Sequence, residues 1–110
     1  MTEDIKIKAL SGKWSIRAAG AVIAETHGAL ELTEQGYNPV IYFPRDDIAM
    51  AFLDQTDKTS HCPHKGDADY FSIITKNGPI ENVAWSYEAP QEAVAKIKGH
   101  LAFHLNDKIA

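Results

Sequence analysis

Short alternations of apolar and polar residues, broken by Gly, Pro and Asn, run along most of the chain and predict strands more than helices. Residues 13–18 put Trp14, Ile16 and Ala18 on one face and Lys13, Ser15 and Arg17 on the other. Ala19-Gly20 marks a tight turn, and the apolar run at 21–25 returns from it, so 13–25 predicts a hairpin. Thr26-His27-Gly28 interrupts the pattern before a short extended stretch at 29–33. After Asn38-Pro39, a β-branched and aromatic run at 40–43 ends at Pro44. Asp46 or Asp47 is placed to cap one or two helical turns through residue 53. Residues 54–69 are polar, have no period and carry Pro63 and Gly66, which predicts a long loop. Loops of that length in compact domains are usually functional or disordered. Residues 70–75 and 80–87 flank Lys76-Asn77-Gly78-Pro79, the strongest hairpin signal in the chain. Pro90 opens a predicted helix over 91–98 with Ala93, Val94 and Ile97 as its apolar stripe, and 100–104 reads as a last strand. Trp14 and Phe103 are assigned to the core.

The sum is a mainly β fold: a single small domain over residues 1–110, with about seven or eight mostly antiparallel strands and one or two short helices. Parallel α/β architectures need repeated helical crossovers, which this pattern lacks. With 45% apolar and 24% charged residues, the composition is that of a globular chain with one modest core. The formal charge is −4 and no two basic residues are adjacent, which argues against nucleic acid as a partner. A single cysteine, Cys62, excludes an internal disulfide and favours a reducing compartment. The first eight residues mix charge with apolar positions, unlike a signal peptide, and no apolar run approaches the roughly 20 residues that span a bilayer. The expectation is therefore a cytoplasmic protein without a membrane partner, and edge strands in so small a domain make a homodimer plausible.

Four phrases together resemble one bacterial and fungal family, the domain of unknown function numbered 427, sometimes labelled nucleotidyltransferase-like. They are Pro39-Val40-Ile41-Tyr42-Phe43-Pro44-Arg45-Asp46-Asp47, then Thr59-x-x-Cys62-Pro63-x-Lys65-Gly66-x-Ala68-x-Tyr70, then Ala84-Trp85-Ser86-Tyr87-x-x-Pro90, and last Ile97-x-Gly99-x-x-Ala102-Phe103. Arg17 also falls where that family usually has arginine. The resemblance covers nearly the whole chain and implies a mostly β domain of Mss4-like (tent-like) topology. It implies no established activity. The chain has neither the Gly-Ser motif with paired acidic metal ligands of a nucleotidyl-transferring site nor a phosphate-cradling Gly-rich loop. His64 stands where the family more often has an aromatic residue.

Residues 59–70 collect the reactive side-chain types, and three chemistries compete for them. His61, Cys62 and His64 are zinc-compatible, but structural zinc sites normally join two ligand pairs far apart in sequence, and one cysteine does not supply them. No metal or other cofactor is expected. Cys62 as a nucleophile would use His61 or His64 as base, with Lys65 favouring the thiolate; a lone cysteine is otherwise a small apolar filler. The third reading is a binding cleft around residues 62–70 for an anionic or polar small molecule. Arg17, Arg45 and Lys65 would supply charge, Tyr42, Tyr70 and Trp85 flat walls, and Thr59, Cys62 and Gly66 the remaining surface. Arg17 reads equally well as a surface residue paired with Glu25 across its hairpin. Gly66 would turn the backbone sharply and Pro63 would stiffen the approach to it. The small-molecule cleft is the leading expectation. A cysteine-dependent enzyme and a protein-interaction module resembling the Mss4 group are the alternatives.

Overall fold

The alternating stretches become strands. β1 (Ile5–Ala9), β2 (Trp14–Ala18), β3 (Ala21–Thr26), β4 (Leu30–Glu34) and β5 (Val40–Tyr42) occupy the first part of the chain. β6 (Leu53–Cys62), β7 (Gly66–Thr75), β8 (Gly78–Tyr87) and β9 (Leu101–Phe103) occupy the rest. The computed structural model of the chain describes residues 5–110. Residues 1–4, the start of the N-terminal segment read above, lie outside the described residues. Every strand pairing is antiparallel: β1-β4-β5 form one sheet, β2-β3 a second and β6-β7-β8-β9 a third. Two backbone hydrogen bonds between Phe43 and Leu101 carry the line of β5 onto β9, so the first and third sheets meet there.

The four-stranded sheet is apolar on both faces. Phe71 and Ile73 of β7 and Leu101 and Phe103 of β9 pack with Ile16, Ala18, Ile23 and Ala24 of the β2-β3 hairpin. Residues of opposite parity, Ala68 on β7, Tyr87 on β8 and Ala102 on β9, pack with Leu32, Tyr42, Val94 and Ile97 in a second cluster. Side chains alternate between faces along a strand, so the two clusters sit on opposite sides of one sheet. Between the two zones the sheet is irregular. Residues 56–58 of β6 and 81–83 of β8 bulge on either side of β7. The extra backbone is held by polar side chains: Thr56 Oγ1 donates to Asn82 Oδ1, and the Asn82 amide donates to Ser72 Oγ at 3.1 Å. Bulges bend a strand and increase its twist, which re-aims the outer half of the sheet.

Several expectations are corrected. Residues 54–69 are not a loop but the two arms of the β6-β7 hairpin, closed by a three-residue turn at 63–65. β6 is an edge strand with almost no buried face beyond Leu53, so it leaves no hydrophobic period to read. β1, over a segment given no strand in the sequence reading, is the other addition, and the strand count among the described residues is nine. The predicted helix at 91–98 is a kinked 3-10 segment, Glu92–Ile97, that buries Val94 and Ile97, three residues apart as one 3-10 turn requires. The segment after Pro44 is two 3-10 turns, Arg45–Asp47 and Met50–Phe52, neither capped by a side chain. Asp47 instead accepts a 2.7 Å hydrogen bond from Thr26 Oγ1. Trp14 is not core: it is 37% exposed, with its indole N–H on the Ser11 carbonyl, whereas Phe103 is buried.

The β2-β3 turn is a test of local strain. Ala18 pairs with Ala21, so Ala19 and Gly20 are the whole connection, and both have positive φ (52° and 81°). A two-residue hairpin turn of that kind favours Asn-Gly, whereas alanine pays for the left-handed conformation with its Cβ. Ala19→Asn is expected to stabilise the protein by about 0.5–1 kcal/mol. Urea or thermal unfolding checks this, with a Tm rise of a few degrees as the expected result.

Candidate functional site

The turn of the β6-β7 hairpin lands beside the end of β4. Gly66, at φ +117°, allows the sharp return, and a Cβ there would sit 3.3 Å from the Ala89 carbonyl oxygen. The Gln91 amide donates to the Lys65 carbonyl at 2.9 Å, which fixes the turn against the segment after β8. A cleft of about 370 Å³ opens between this turn and the β4-β5 connection. Cys62, Pro63, His64 and Lys65 form one side of it, and Leu32, Glu34, Tyr37 and Val40 the other.

Across the cleft Lys65 Nζ donates to Glu34 Oε1 at 3.0 Å, with the two side chains only 12% and 15% exposed. Burial by itself draws the Lys65 ammonium down. Burial is the largest single influence, but the Glu34 hydrogen bond and the charges of Cys62, Tyr87 and Glu34 together outweigh it, so Lys65 stands above the usual lysine value. Tyr87 is raised, first by burial, against the pull of Lys65. Tyr42 is raised strongly by burial. Its hydroxyl is fully enclosed and has no hydrogen-bond partner among the described residues. Glu34, Tyr42, Cys62, Lys65 and Tyr87 therefore form one electrostatically connected group at the seam between two sheets.

The structure gathers part of the residue set expected from sequence. Cys62 and Lys65 line the cleft, with Gly66 next to them. Tyr42 lies buried behind it. Trp85 lines the neighbouring cavity instead, and Tyr70 packs on Trp85 with its hydroxyl 3.0 Å from Ser60 Oγ. Thr59 is exposed on β6. Arg45 is engaged elsewhere: it donates to the Gly99 carbonyl and Ser86 Oγ, pairs with Glu88 and lies over the Phe71 ring. Arg17 is exposed on the face of β2 opposite Ile16 and lines neither cavity. Glu25 pairs with Lys13 rather than with Arg17.

Histidine is not delivered to the thiol. His61 Nδ1 lies 2.7 Å from Asp67 Oδ1, directly across the hairpin, with both side chains exposed. His64 shares the cleft with Cys62, but no hydrogen bond joins them among the described residues. No group of three or more His, Cys, Asp or Glu side chains converges among the described residues. The residue that sequence reading missed is Glu34. Its signal was present: Leu30, Leu32 and Glu34 share one strand face, so a carboxylate continues an apolar stripe.

A family model described as a domain of unknown function (DUF427) matches residues 6–109. No curated protein matches the chain. No helix among the described residues is long and apolar enough to cross a membrane.

Removing one partner of a buried ion pair leaves an uncompensated charge, whereas removing both does not. Lys65→Met and Glu34→Leu are each expected to destabilise by about 2–4 kcal/mol, and the double variant by clearly less than their sum. Urea unfolding of the four proteins checks this, and additivity within about 0.5 kcal/mol would contradict it. The raised groups also set the alkaline limit. Lys65, Tyr42 and Tyr87 hold their protons more tightly folded than unfolded, so their stability contributions are intact below about pH 10. These contributions are lost as the pH rises through the folded-state values. Stability measured from pH 8 to 12 is expected to stay level and then fall above about pH 10.

Proposed function

The chain belongs to the DUF427 family, and from that premise we propose that it binds a small molecule bearing an anionic group in the cleft between the β6-β7 turn and the β4-β5 connection. The observation that carries this reading is the Lys65–Glu34 pair. Its two charges are largely withdrawn from water at the wall of an open cleft, with an apolar rim from Leu32, Val40 and Pro63. Buried ion pairs contribute little net stability compared with apolar residues of the same volume, so stability alone gives little reason for one here. Ligand-binding clefts have apolar walls with a few placed polar groups, and a charged pair set among Leu32, Val40 and Pro63 fits that pattern. One of the three N–H donors of Lys65 goes to Glu34, which leaves others for a carboxylate or phosphate.

Cys62 is a wall of this pocket in the proposal, since no base is hydrogen-bonded to it among the described residues and His61 is taken up by Asp67. The positive charge comes from Lys65 alone, without Arg17 or Arg45. A reducing, cytoplasmic setting is part of the same reading, because it leaves the single thiol free.

The test is an NMR titration with acetate and inorganic phosphate as anionic probes and acetamide as a neutral one. Saturable shifts confined to residues 34–40 and 62–66 are expected for at least one anion, weakened tenfold or more in the Lys65→Met/Glu34→Leu protein. Shifts that never saturate, or that persist equally in the double variant, would sink the proposal.

A further inference from the structure

A second cavity, of about 560 Å³, lies on the other side of the β4-β5 connection. Asn38 and Val40 line both cavities, so the exposed connection is a ridge between two adjoining hollows rather than a wall between remote ones. Their chemistry differs. The first holds the Lys65–Glu34 pair and the thiol, whereas the second is mostly apolar and includes Trp14, Trp85, Phe103 and His104 in its lining. The Trp85 and His104 rings lie with centroids 4.4 Å apart and planes tilted by 41°, Trp14 is partly open to solvent, and Leu105 is largely exposed at the same cavity.

Trp85 belongs to the second hollow. One side of its indole lines the ring-walled cavity with His104. Each volume is at or near the size of a pocket for one small fragment, and together they fall within the range of ordinary ligand sites.

Building on the anion cleft proposed above, we infer that the two cavities form one bipartite site whose ligand is an aryl-bearing anion. Its acidic head lies at Lys65, and its planar ring packs against Trp14 and the Trp85–His104 pair after crossing the Asn38–Val40 ridge. Stacking on an indole and an imidazole rewards a flat unsaturated ring, while a saturated chain would gain only area. The exposed connection between β4 and β5 then reads as the element that separates head from ring and sets the length of the linker.

The experiment uses a ruler of probes: acetate, phenylacetate, 3-phenylpropionate, 4-phenylbutyrate and 5-phenylvalerate, with affinities read by NMR shifts and by quenching of tryptophan fluorescence. One chain length is expected to bind at least tenfold more tightly than acetate, with neighbouring lengths weaker. Trp14→Ala and His104→Ala, both at exposed positions, are expected to erase that gain while leaving acetate binding unchanged. An affinity that does not rise along the series, with acetate still held by Lys65, overturns the bipartite site and leaves the anion cleft standing. Failure of every probe, acetate included, overturns this inference, and failure of inorganic phosphate as well removes the cleft reading itself. A gain that survives both ring substitutions places the ring elsewhere, and a concentration-dependent dimer that shields Trp14 and Leu105 assigns the groove to a second copy; either result overturns the inference.

Discussion

A lysine and a glutamate, each almost withdrawn from water and 3.0 Å apart, close the gap between two sheets. Glu34 ends β4, and Lys65 sits in the turn that joins β6 to β7. Among the described residues each charge has the other as its side-chain partner, so the position of the turn and the end of β4 depend on one another. Backbone contacts reinforce the arrangement. The Lys65 carbonyl accepts from Gln91, and Gly66 lets the chain pass against Ala89 where a side chain would crowd the carbonyl. The cleft exists because this turn is held beside β4 without being packed into it.

That placement rests in turn on a sheet that serves two cores. A strand apolar on one face needs only one layer against it, but β7 sends Phe71 and Ile73 to one side and Ala68 and Tyr70 to the other. The paired bulges around Ser72 separate those zones, and Thr56, Ser72 and Asn82 satisfy the backbone irregularity with side-chain hydrogen bonds. The inner half of the sheet packs under the β2-β3 hairpin. The outer half reaches toward β4 and carries Cys62 and Lys65 to the seam. Fold and site are thus coupled through a few polar residues that have no catalytic chemistry of their own.

The hairpins were legible because their alternation and turn residues agree: Ala19-Gly20 and Asn77-Gly78 stand where strands reverse. β6 was not, since an edge strand exposed on both faces gives a polar sequence with no period, indistinguishable from a loop. The sites of Cys62 and Lys65 were readable from residue type and spacing. Glu34 was overlooked although its place on the Leu30–Leu32 face marked it as a carboxylate directed inward. Arg17 and Arg45 show the limit of charge counting. One is exposed away from the cleft, and the other is taken up by Glu88, Ser86 and Gly99, partners 41 to 54 residues away that no local pattern reveals.

The central claim is that Lys65 is held as a charged ammonium by Glu34 within the cleft. Heteronuclear NMR of the lysine side chains, titrated from pH 8 upward, measures it directly. The account predicts one lysine ammonium that exchanges slowly with water and keeps its proton to a higher pH than the other lysines, and that loses this distinction in Glu34→Leu. A Lys65 resonance that titrates at or below the ordinary lysine value of about 10.4 would contradict it.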